Sequence, residues 1–323
     1  MKSRTLKTVL SGVVALVFVF GVAVTAPAAF PEKQINYIIC FNPGGQSDVT
    51  ARVQQKDLAE ALGVPVVMQY KVGAGGAVGW TALVRSKRDG YTIAGNNIPH
   101  IILQPLMRKN PGYQTDQLVP IYLFETTPIG LAVRNDSPFM TAQDFMDFAE
   151  KNKGVITVAG VGTYTGHHIT YLQFTDLTGL KLTYIPFTGA APQVAAFIGG
   201  HSTAIFGNSN NLVDHKDKIR VLAMGTEKRF KPFFPDVPTF KELGINMTAG
   251  ISRGVCAPPD TPADRIAVLE KAFDTVCRGK NFVGKMEEMG FEVNNLGAAE
   301  FKAWLDGKKK EYTELLKKLG QIK

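Results

Sequence analysis

The segment that most constrains the fold is residues 35–52, where an apolar strand, a glycine turn and the start of a helix follow one another. Its first seven residues, Ile-Asn-Tyr-Ile-Ile-Cys-Phe, form an apolar run that is typical of a buried strand. The Pro-Gly-Gly at 43–45 ends this strand and lets the backbone turn sharply, close to a bound molecule. Apolar residues then recur at roughly helical spacing over 49–62, and Ser47 or Asp48 is placed to cap that helix. The pattern predicts an anion site, because free N–H groups and the positive end of the helix dipole face the ligand.

A second turn of the same kind follows along the chain. Residues 66–70 form a short predicted strand, and Gly-Ala-Gly-Gly-Ala-Val-Gly at 73–79 leads into a helix through about Val84. This turn does not indicate a dinucleotide site, because Val78 stands where G-x-G-x-x-G needs its third glycine and no acid ends a following strand at the right distance. Two glycine-lined helix starts near one another suit a carboxylate instead.

Strands and helices alternate along the chain, which predicts an α/β fold with mostly parallel sheets flanked by helices. Residues 117–135 are apolar, and we interpret them as two strand segments, the second of which leaves the first domain. Residues 247–257 form the predicted return strand. With crossings near Thr126 and Arg253, this is the plan of a two-domain, type II periplasmic binding protein fold, with a ligand cleft between the domains and a hinge at the crossings. The predicted domains are a discontinuous domain 1 (30–126 and 254–323) and an inserted domain 2 (127–253).

Three local elements are predicted by their end signals or their periodicity. Thr141 is placed to cap a helix that runs to about Asn152, residues 238–244 form a short helix, and residues 298–319 form a long charged helix.

The N-terminus carries an export signal. Lys2, Arg4 and Lys7 precede an apolar stretch at 9–24, and Ala-Pro-Ala at 26–28 forms a small-residue cleavage site. Residues 1–29 are therefore predicted to be a signal peptide that directs the chain to a periplasm. An uncleaved membrane anchor is the alternative, since a span needs about 20 apolar residues. No cysteine stands at the cleavage site, so the lipoprotein route is not indicated.

Composition narrows the function classes. The chain of 323 residues is long enough for two domains, each with its own core. Its formal charge is +8, but no run of basic residues is interleaved with aromatic residues, so nucleic acid is not expected as a partner. No metal-ligand spacing and no cofactor or catalytic motif occurs, which argues against an enzyme. Cys40, Cys256 and Cys277 are expected to be buried free thiols, and a bond between Cys256 and Cys277 requires the fold to bring them together.

The turns that follow the strands of domain 2 carry short polar side chains. In open α/β sheets, ligands bind beyond the carboxyl ends of the strands. Hydroxyls, amides and backbone N–H groups at these positions bind carboxylates directly or through water, and Phe41 or Phe187 could pack on the carbon skeleton. None of these polar residues is a lysine or an arginine; they are Thr163, Tyr164, Thr165, Thr188, Asn208, Ser209 and Asn210.

An ordered set of short motifs resembles the solute-binding proteins of tripartite tricarboxylate transporters, the TctC or Bug family. The set covers essentially the whole mature chain, and its order and spacing make it specific although each motif alone is weak. Its members are Phe-Pro-Glu-Lys at 30–33, Pro-Gly-Gly-Gln-Ser-Asp at 43–48, Ala-Arg at 51–52, Gly-Ala-Gly-Gly at 73–76, Asp-Gly-Tyr-Thr at 89–92, the glycine loop at 157–163 followed by His168, Ile-Pro-Phe-Thr-Gly-Ala-Ala-Pro at 185–192, Arg-Val-Leu-Ala at 220–223, Pro-Asp-Val-Pro-Thr at 235–239, Glu-Leu-Gly at 242–244 and Ala-Pro-Pro-Asp-Thr-Pro at 257–262.

The resemblance implies which residues bind ligand. The two glycine turns grip a proximal carboxylate, and the loops of domain 2 close over the distal part. The sequence departs from the family pattern at Asn42 and Phe187, so the ligand need not be the commonest one. Asp48 either caps the helix or pairs with a cationic group of the ligand. The implied residues are Phe41, Asn42, Gly44, Gly45, Ser47, Asp48, Ala74 and Gly75 in domain 1, and Thr163, Thr165, Thr188, Gly189, Asn208 and Asn210 in domain 2.

The function that follows is a periplasmic receptor that captures a small organic carboxylate by domain closure and hands it to the permease subunits of a tripartite transporter. We expect a monomer without a cofactor or a metal. The alternatives are the same module serving as a sensor for a signalling partner, and a periplasmic enzyme on a bilobed fold. The sequence does not choose among tricarboxylates, dicarboxylates, acidic amino acids and aromatic carboxylates.

Overall fold

The computed structural model describes residues 30–323, so the predicted signal peptide and its cleavage site lie outside the described residues. In this range, no helix has the length and apolar character that crossing a membrane requires. The strands are β1 (Ile35–Ile39), β2 (Val66–Tyr70), β3 (Thr92–Ile98), β4 (Val119–Arg134), β5 (Thr157–Val161), β6 (Thr183–Phe187), β7 (Ala204–Asn208), β8 (Ile219–Met224), β9 (Gly250–Ala257) and β10 (Glu292–Gly297). The α-helices are α1 (Gln46–Leu62), α2 (Ala77–Val84), α3 (His100–Met107), α4 (Ala142–Lys151), α5 (Gly166–Thr178), α6 (Ala190–Ile198), α7 (Ser209–Asp214), α8 (Ala263–Cys277), α9 (Lys280–Glu288) and α10 (Ala298–Lys318).

The long strand β4 joins two groups of strands. The strand order is β2-β1-β3-β9-β4-β7-β5-β6, and β8 and β10 also pair with β4. Residues 119–128 of β4 pair with β9, whereas residues 129–134 pair with β7 and β8. We call β1, β2, β3, β9 and β10 with α1–α3 and α8–α10 the first lobe, and β5–β8 with α4–α7 the second lobe.

The sheets are mixed rather than mostly parallel. β1 pairs in parallel with β2 and β3, and β5 pairs in parallel with β6 and β7, as the alternation of strands and helices predicts. Every pairing of β4 and β9 is antiparallel. The reason is that β4 leads from the first lobe into the second and β9 leads back, so the two connecting strands run in opposite directions. Residues 117–135 were expected as two strand segments, but β4 is one continuous strand of 16 residues.

Each lobe has its own apolar core. In the first lobe, Tyr37 of β1 packs edge-on against Phe273 of α8, with ring centroids 6.2 Å apart. In the second lobe, Phe174 of α5 and Phe206 of β7 meet in the same way, at 5.7 Å. A small cluster that includes Leu103, from α3, joins helices of both lobes.

Local signals in the sequence vary in how well they predict the elements. Thr141 caps α4 as predicted, because its side chain accepts a hydrogen bond from Asp144 N–H while the Asp144 carboxylate accepts one from Thr141 N–H. The predicted helix at 238–244 is wrong. Phe240 N–H instead donates to the carbonyl of Met224 at 3.0 Å, so this segment extends the edge of β8 and forms turns. The three cysteines are buried and free, as expected.

Candidate functional site

A cavity of about 540 Å³ lies between the two lobes. The β1–α1 turn bounds it on the side of the first lobe, and the residues at the starts of α6 and α7 bound it on the side of the second lobe. Nine residues of the predicted set line it, namely Phe41, Asn42, Gly44, Gly45, Ser47, Thr188, Gly189, Asn208 and Asn210.

The β1–α1 turn presents the start of a helix to this cavity. Gly44 has a φ of +76°, a conformation that favours glycine, and Gly45 N–H closes the turn onto the carbonyl of Asn42 at 3.1 Å. Gly45 is the residue before the first turn of α1, and no side chain caps the helix there. Since the first N–H groups of a helix have no acceptor within the helix, the first turn of α1 offers donors to an anion in the cavity.

Asp48 supports this turn and does not line the cavity. Its Oδ2 accepts from Gly44 N–H at 2.7 Å, and its Oδ1 accepts from the Tyr70 hydroxyl at 2.6 Å and from Arg52 Nε at 2.9 Å. Burial raises the pKa of Asp48, but hydrogen bonds from Tyr70, Gly44 and Arg52 outweigh burial and lower the pKa below its ordinary value. Both carboxylate oxygens of Asp48 therefore accept hydrogen bonds from the protein. This geometry fits neither of the two expected roles, a contact with the ligand or a side-chain cap at the N-terminus of α1.

The glycines of the second turn do not line the cavity. Ala74 and Gly75 are not among the lining residues, whereas Val72 is. A Cβ on Gly75 would lie 2.5 Å from Nε2 of Gln104. Gln104 Nε2 also donates to the carbonyl of Tyr164 in the second lobe at 3.0 Å. This turn therefore packs on a side chain that links the lobes.

Thr163 and Thr165 also lie off the cavity wall. Thr163 is exposed, and the neighbouring Gly162 and Tyr164 both have φ values of +60°, which turns this loop sharply. Thr165 is buried and caps α5, where its hydroxyl donates to the carbonyl of Val161. In their place, Val161 and His167, the second residue of α5, line the cavity.

Seven polar residues of the cavity wall were missed by the sequence-based prediction. Gln46 belongs to the Pro-Gly-Gly-Gln-Ser-Asp motif at 43–48, but no role was predicted for it. Asn97 and His100 lie on either side of the cis Ile98–Pro99 peptide at the end of β3. Arg253 was noted only as a domain crossing, although an arginine inside the apolar strand Gly250–Ala257 is a usable signal, because buried charges are rare unless paired. The seven residues are Gln46, Asn97, His100, His167, Asn211, Asp214 and Arg253.

Arg253 makes the cavity wall partly cationic, in contrast to the expected set of hydroxyls and amides. Its guanidinium Nη1 donates to Glu125 Oε1 at 3.1 Å and to the Thr127 hydroxyl. The side chains of Arg253 and Glu125 are 4% and 0% exposed, so the pair is buried. Burial raises the pKa of Glu125 above its ordinary value, although Arg253 opposes that shift.

A chain of hydrogen bonds runs from His167 across the cavity to the first lobe. His167 Nδ1 accepts from Val161 N–H at 3.3 Å, so the ring proton is on Nε2, which lies 3.1 Å from Asn208 Oδ1. Burial lowers the pKa of His167 to about 4, which keeps the ring neutral near pH 7. Asn208 Nδ2 donates to Gln46 Oε1 at 3.0 Å, and Gln46 Nε2 donates to Asn210 Oδ1. Gln46 of the first lobe therefore bonds to two asparagines of the second.

The aromatic side of the cavity is formed by Phe41 and His100, whose rings meet edge-on with centroids 5.8 Å apart. Burial, with smaller contributions from His167 and Arg253, holds the pKa of His100 well below its ordinary value. Both histidines of the wall are therefore neutral, and the charge of the wall comes from Arg253 and from the carboxylate of Asp214. Among residues 30–323, no group of three or more His, Cys, Asp or Glu side chains is arranged to hold a metal ion.

The family follows from a comparison with known families. The model described as "Tripartite tricarboxylate transporter family receptor", TctC, matches residues 50–321. The chain belongs to the TctC family. The resemblance stated from the sequence motifs is thereby confirmed, and that description makes TctC proteins receptors of tripartite tricarboxylate transporters.

Relatives of this TctC chain support the same assignment over most of their length. BugT of Bordetella pertussis is 28% identical over 282 residues, which are 85% of this chain and 86% of BugT. The structure of the periplasmic binding protein BugD superposes with a TM-score of 0.83 at 28% identity, over 91% of this chain and 99% of BugD. MatC from Rhodopseudomonas palustris, solved with bound malate, gives a TM-score of 0.81 at 22% identity over 89% of this chain and 100% of MatC, which is a likeness of fold. The TctC chain thus has the α/β fold of periplasmic binding proteins.

Proposed function

We propose that this chain is an exported periplasmic receptor that captures a small organic carboxylate between its lobes and delivers it to the permease subunits of a tripartite transporter. One observation carries the proposal. The N-terminus of α1, with Gly44, Gly45 and Ser47, faces a cavity that both lobes line.

The chemistry of the wall favours an anion. The first turn of α1 offers N–H donors and the positive end of a helix dipole. Arg253, which is paired with the buried Glu125, adds a cation to the wall, and Asp214 adds a carboxylate. His100 and His167 are held neutral. Phe41 offers an apolar face for a carbon skeleton. The fold of a malate-bound receptor and the family's tricarboxylate transporters support a carboxylate over other anions.

The predicted ligand residues divide into two groups in this proposal. The nine that line the cavity contact the ligand. Asp48, Ala74, Gly75, Thr163 and Thr165 act through the shape of the loops, since they do not line the cavity.

Capture requires the lobes to close on the ligand. We assign residues 30–126 with 254–323 to one domain and 127–253 to the other, joined through β4 and β9. A ligand held by both domains binds the closed form more tightly than the open form, and this difference in affinity moves the population toward the closed form. In this proposal the ligand is bound and released without chemical change. The receptor works as a monomer.

A thermal-shift screen tests the proposal. The purified protein is unfolded and refolded to remove bound solute, and is then heated with mono-, di- and tricarboxylates and with their uncharged amides. A carboxylate at 100 times its dissociation constant adds about 2.7 kcal/mol to the free energy of unfolding, and the amide of the same skeleton adds much less. Equal shifts for acids and amides, or no shift for any acid, would contradict the proposal.

A further inference from the structure

Two hydrogen-bond donors converge on one acceptor inside the cavity. Gln46 Oε1 accepts from Asn208 Nδ2 at 3.0 Å and from Arg253 Nη2. Asn208 lies on β7 and Arg253 lies on β9, whereas Gln46 is the first residue of α1. An amide oxygen on a partly exposed, flexible side chain therefore occupies a position that the protein surrounds with fixed donors.

The guanidinium of Arg253 is only partly satisfied there. Nη1 is directed to Glu125 and Thr127, and Nη2 to Gln46. Nε is fully buried and has no hydrogen-bond partner among residues 30–323. Arg253 as a whole is 3% exposed, and it lines the cavity. A buried donor of a charged group that lacks a partner is unfavourable, which points to an acceptor that Gln46 does not supply.

The shape of the guanidinium indicates which kind of acceptor fits it. Its Nε–H and one Nη2–H are parallel and lie along one edge, which matches the two oxygens of a carboxylate. The single oxygen of Gln46 satisfies only one of these two donors. The ion pair with Glu125 uses the opposite side, through Nη1, so it neutralises charge without blocking this edge.

We propose that Arg253 determines ligand specificity by binding a second carboxylate of the ligand through its Nε–Nη2 edge together with Asn208, and that Gln46 Oε1 stands in for this carboxylate until the ligand displaces it. The proposal rests on the proposed function, in which the first carboxylate binds at the start of α1. It deepens that function by naming the residues of this chain that favour a second, separated acidic group on the ligand.

Matched ligands test the class directly. Calorimetric titration of the refolded protein is carried out with succinate, glutarate and adipate, and with the monomethyl ester of each. The best dicarboxylate binds about tenfold or more tightly than its monoester, because the ester lacks the second anionic group that pairs with Arg253.

Arg253→Lys tests the residue. Lysine keeps the positive charge beside Glu125, so the buried pair survives, but it lacks the planar fork. The variant loses the preference for diacid over monoester, while its affinity for the monoester changes less than about threefold because the first carboxylate site is intact. Arg229→Lys is the control, because Arg229 pairs with Glu242 at the surface and does not line the cavity. It keeps the preference.

Gln46→Ala tests whether Gln46 Oε1 occupies the position of the second carboxylate in the unliganded protein. This test does not depend on the stability of the arginine variant. Removing the competing amide raises the affinity for the diacid, because no internal acceptor has to be displaced. The proposal is overturned if the wild-type protein binds diacid and monoester equally, if Arg253→Lys keeps the preference, or if Gln46→Ala weakens diacid binding. A protein that binds no acid at all overturns the proposed function instead.

Discussion

At the scale of single residues, the carboxylate of Asp48 fixes the turn from which α1 starts. It is 2% exposed, and it accepts hydrogen bonds from Gly44, Tyr70 and Arg52. Asp48→Asn replaces one of these acceptor oxygens with a donor, and we expect a loss of about 1–3 kcal/mol in the free energy of unfolding at pH 7. Urea denaturation measures the loss.

The pH dependence of this effect has a definite sign. The folded-state pKa of Asp48 lies below the ordinary value of 3.8, so its stabilisation is present above that value and is lost as the pH falls through the folded-state pKa. The difference in stability between the wild type and Asp48→Asn should therefore shrink below about pH 4. Asp136→Asn, at an exposed carboxylate paired with Arg134, is the control and should show little difference at any pH. A difference that persists unchanged at pH 2 would contradict this explanation.

Gly75 offers a second test at the residue scale. Its φ is +64°, and a Cβ there would lie 2.5 Å from Nε2 of the buried Gln104. Gly63 has a similar φ of +69°, and no atom lies within 4 Å of the position that a Cβ would occupy there. Gly75→Ala should therefore lower the free energy of unfolding by about 1–3 kcal/mol more than Gly63→Ala. The backbone strain is similar in the two variants, but only Gly75→Ala also has to displace the side-chain amide of Gln104. Equal losses by thermal denaturation would show that Gln104 relaxes freely.

At the scale of elements, β4 and β9 are held to one another by the buried pair of Glu125 and Arg253. Glu125→Gln leaves the guanidinium buried without a counter-charge, and we expect a loss of about 3–5 kcal/mol in stability. The double variant Glu125→Leu with Arg253→Met should lose clearly less than the sum of the two single changes, because it leaves no unpaired charge. Additive losses in urea denaturation would rule out such coupling.

The elements also show which parts of the fold a sequence can predict. α4 was predicted because its capping residues are adjacent in the chain, and α1 because its glycine turn and spacing are local. The single course of β4 through both lobes was not predicted, because its partners β7, β8 and β9 lie far away in sequence. The nine wall residues could be anticipated because they lie on turns that follow strands. The hydrogen bond between Gln46 and Arg253 could not be anticipated, since 207 positions separate the two residues.

At the scale of the whole molecule, the two lobes also meet in a groove of about 310 Å³ that contains Trp304 of α10 beside Thr226 and Glu227 of the second lobe. Trp304 is one of two tryptophans in the chain, and the other, Trp80, is fully buried in the first lobe. If ligand moves the lobes, the surroundings of Trp304 change and those of Trp80 do not. Saturating carboxylate should shift the tryptophan emission, and Trp304→Phe should abolish that shift without abolishing binding. A shift that survives in Trp304→Phe would contradict lobe movement at this groove.

In the proposed receptor, the cavity between the lobes holds one small carboxylate per chain. Isothermal titration of the refolded protein measures this binding, with the acid that stabilises the protein most and with the amide of the same skeleton. We expect saturable binding of the acid at one molecule per chain. Binding of the amide should be weaker by about tenfold or more, because the amide lacks the charge that the start of α1 and Arg253 favour. Equal affinity for acid and amide, or conversion of the acid to a new product during the titration, would contradict it.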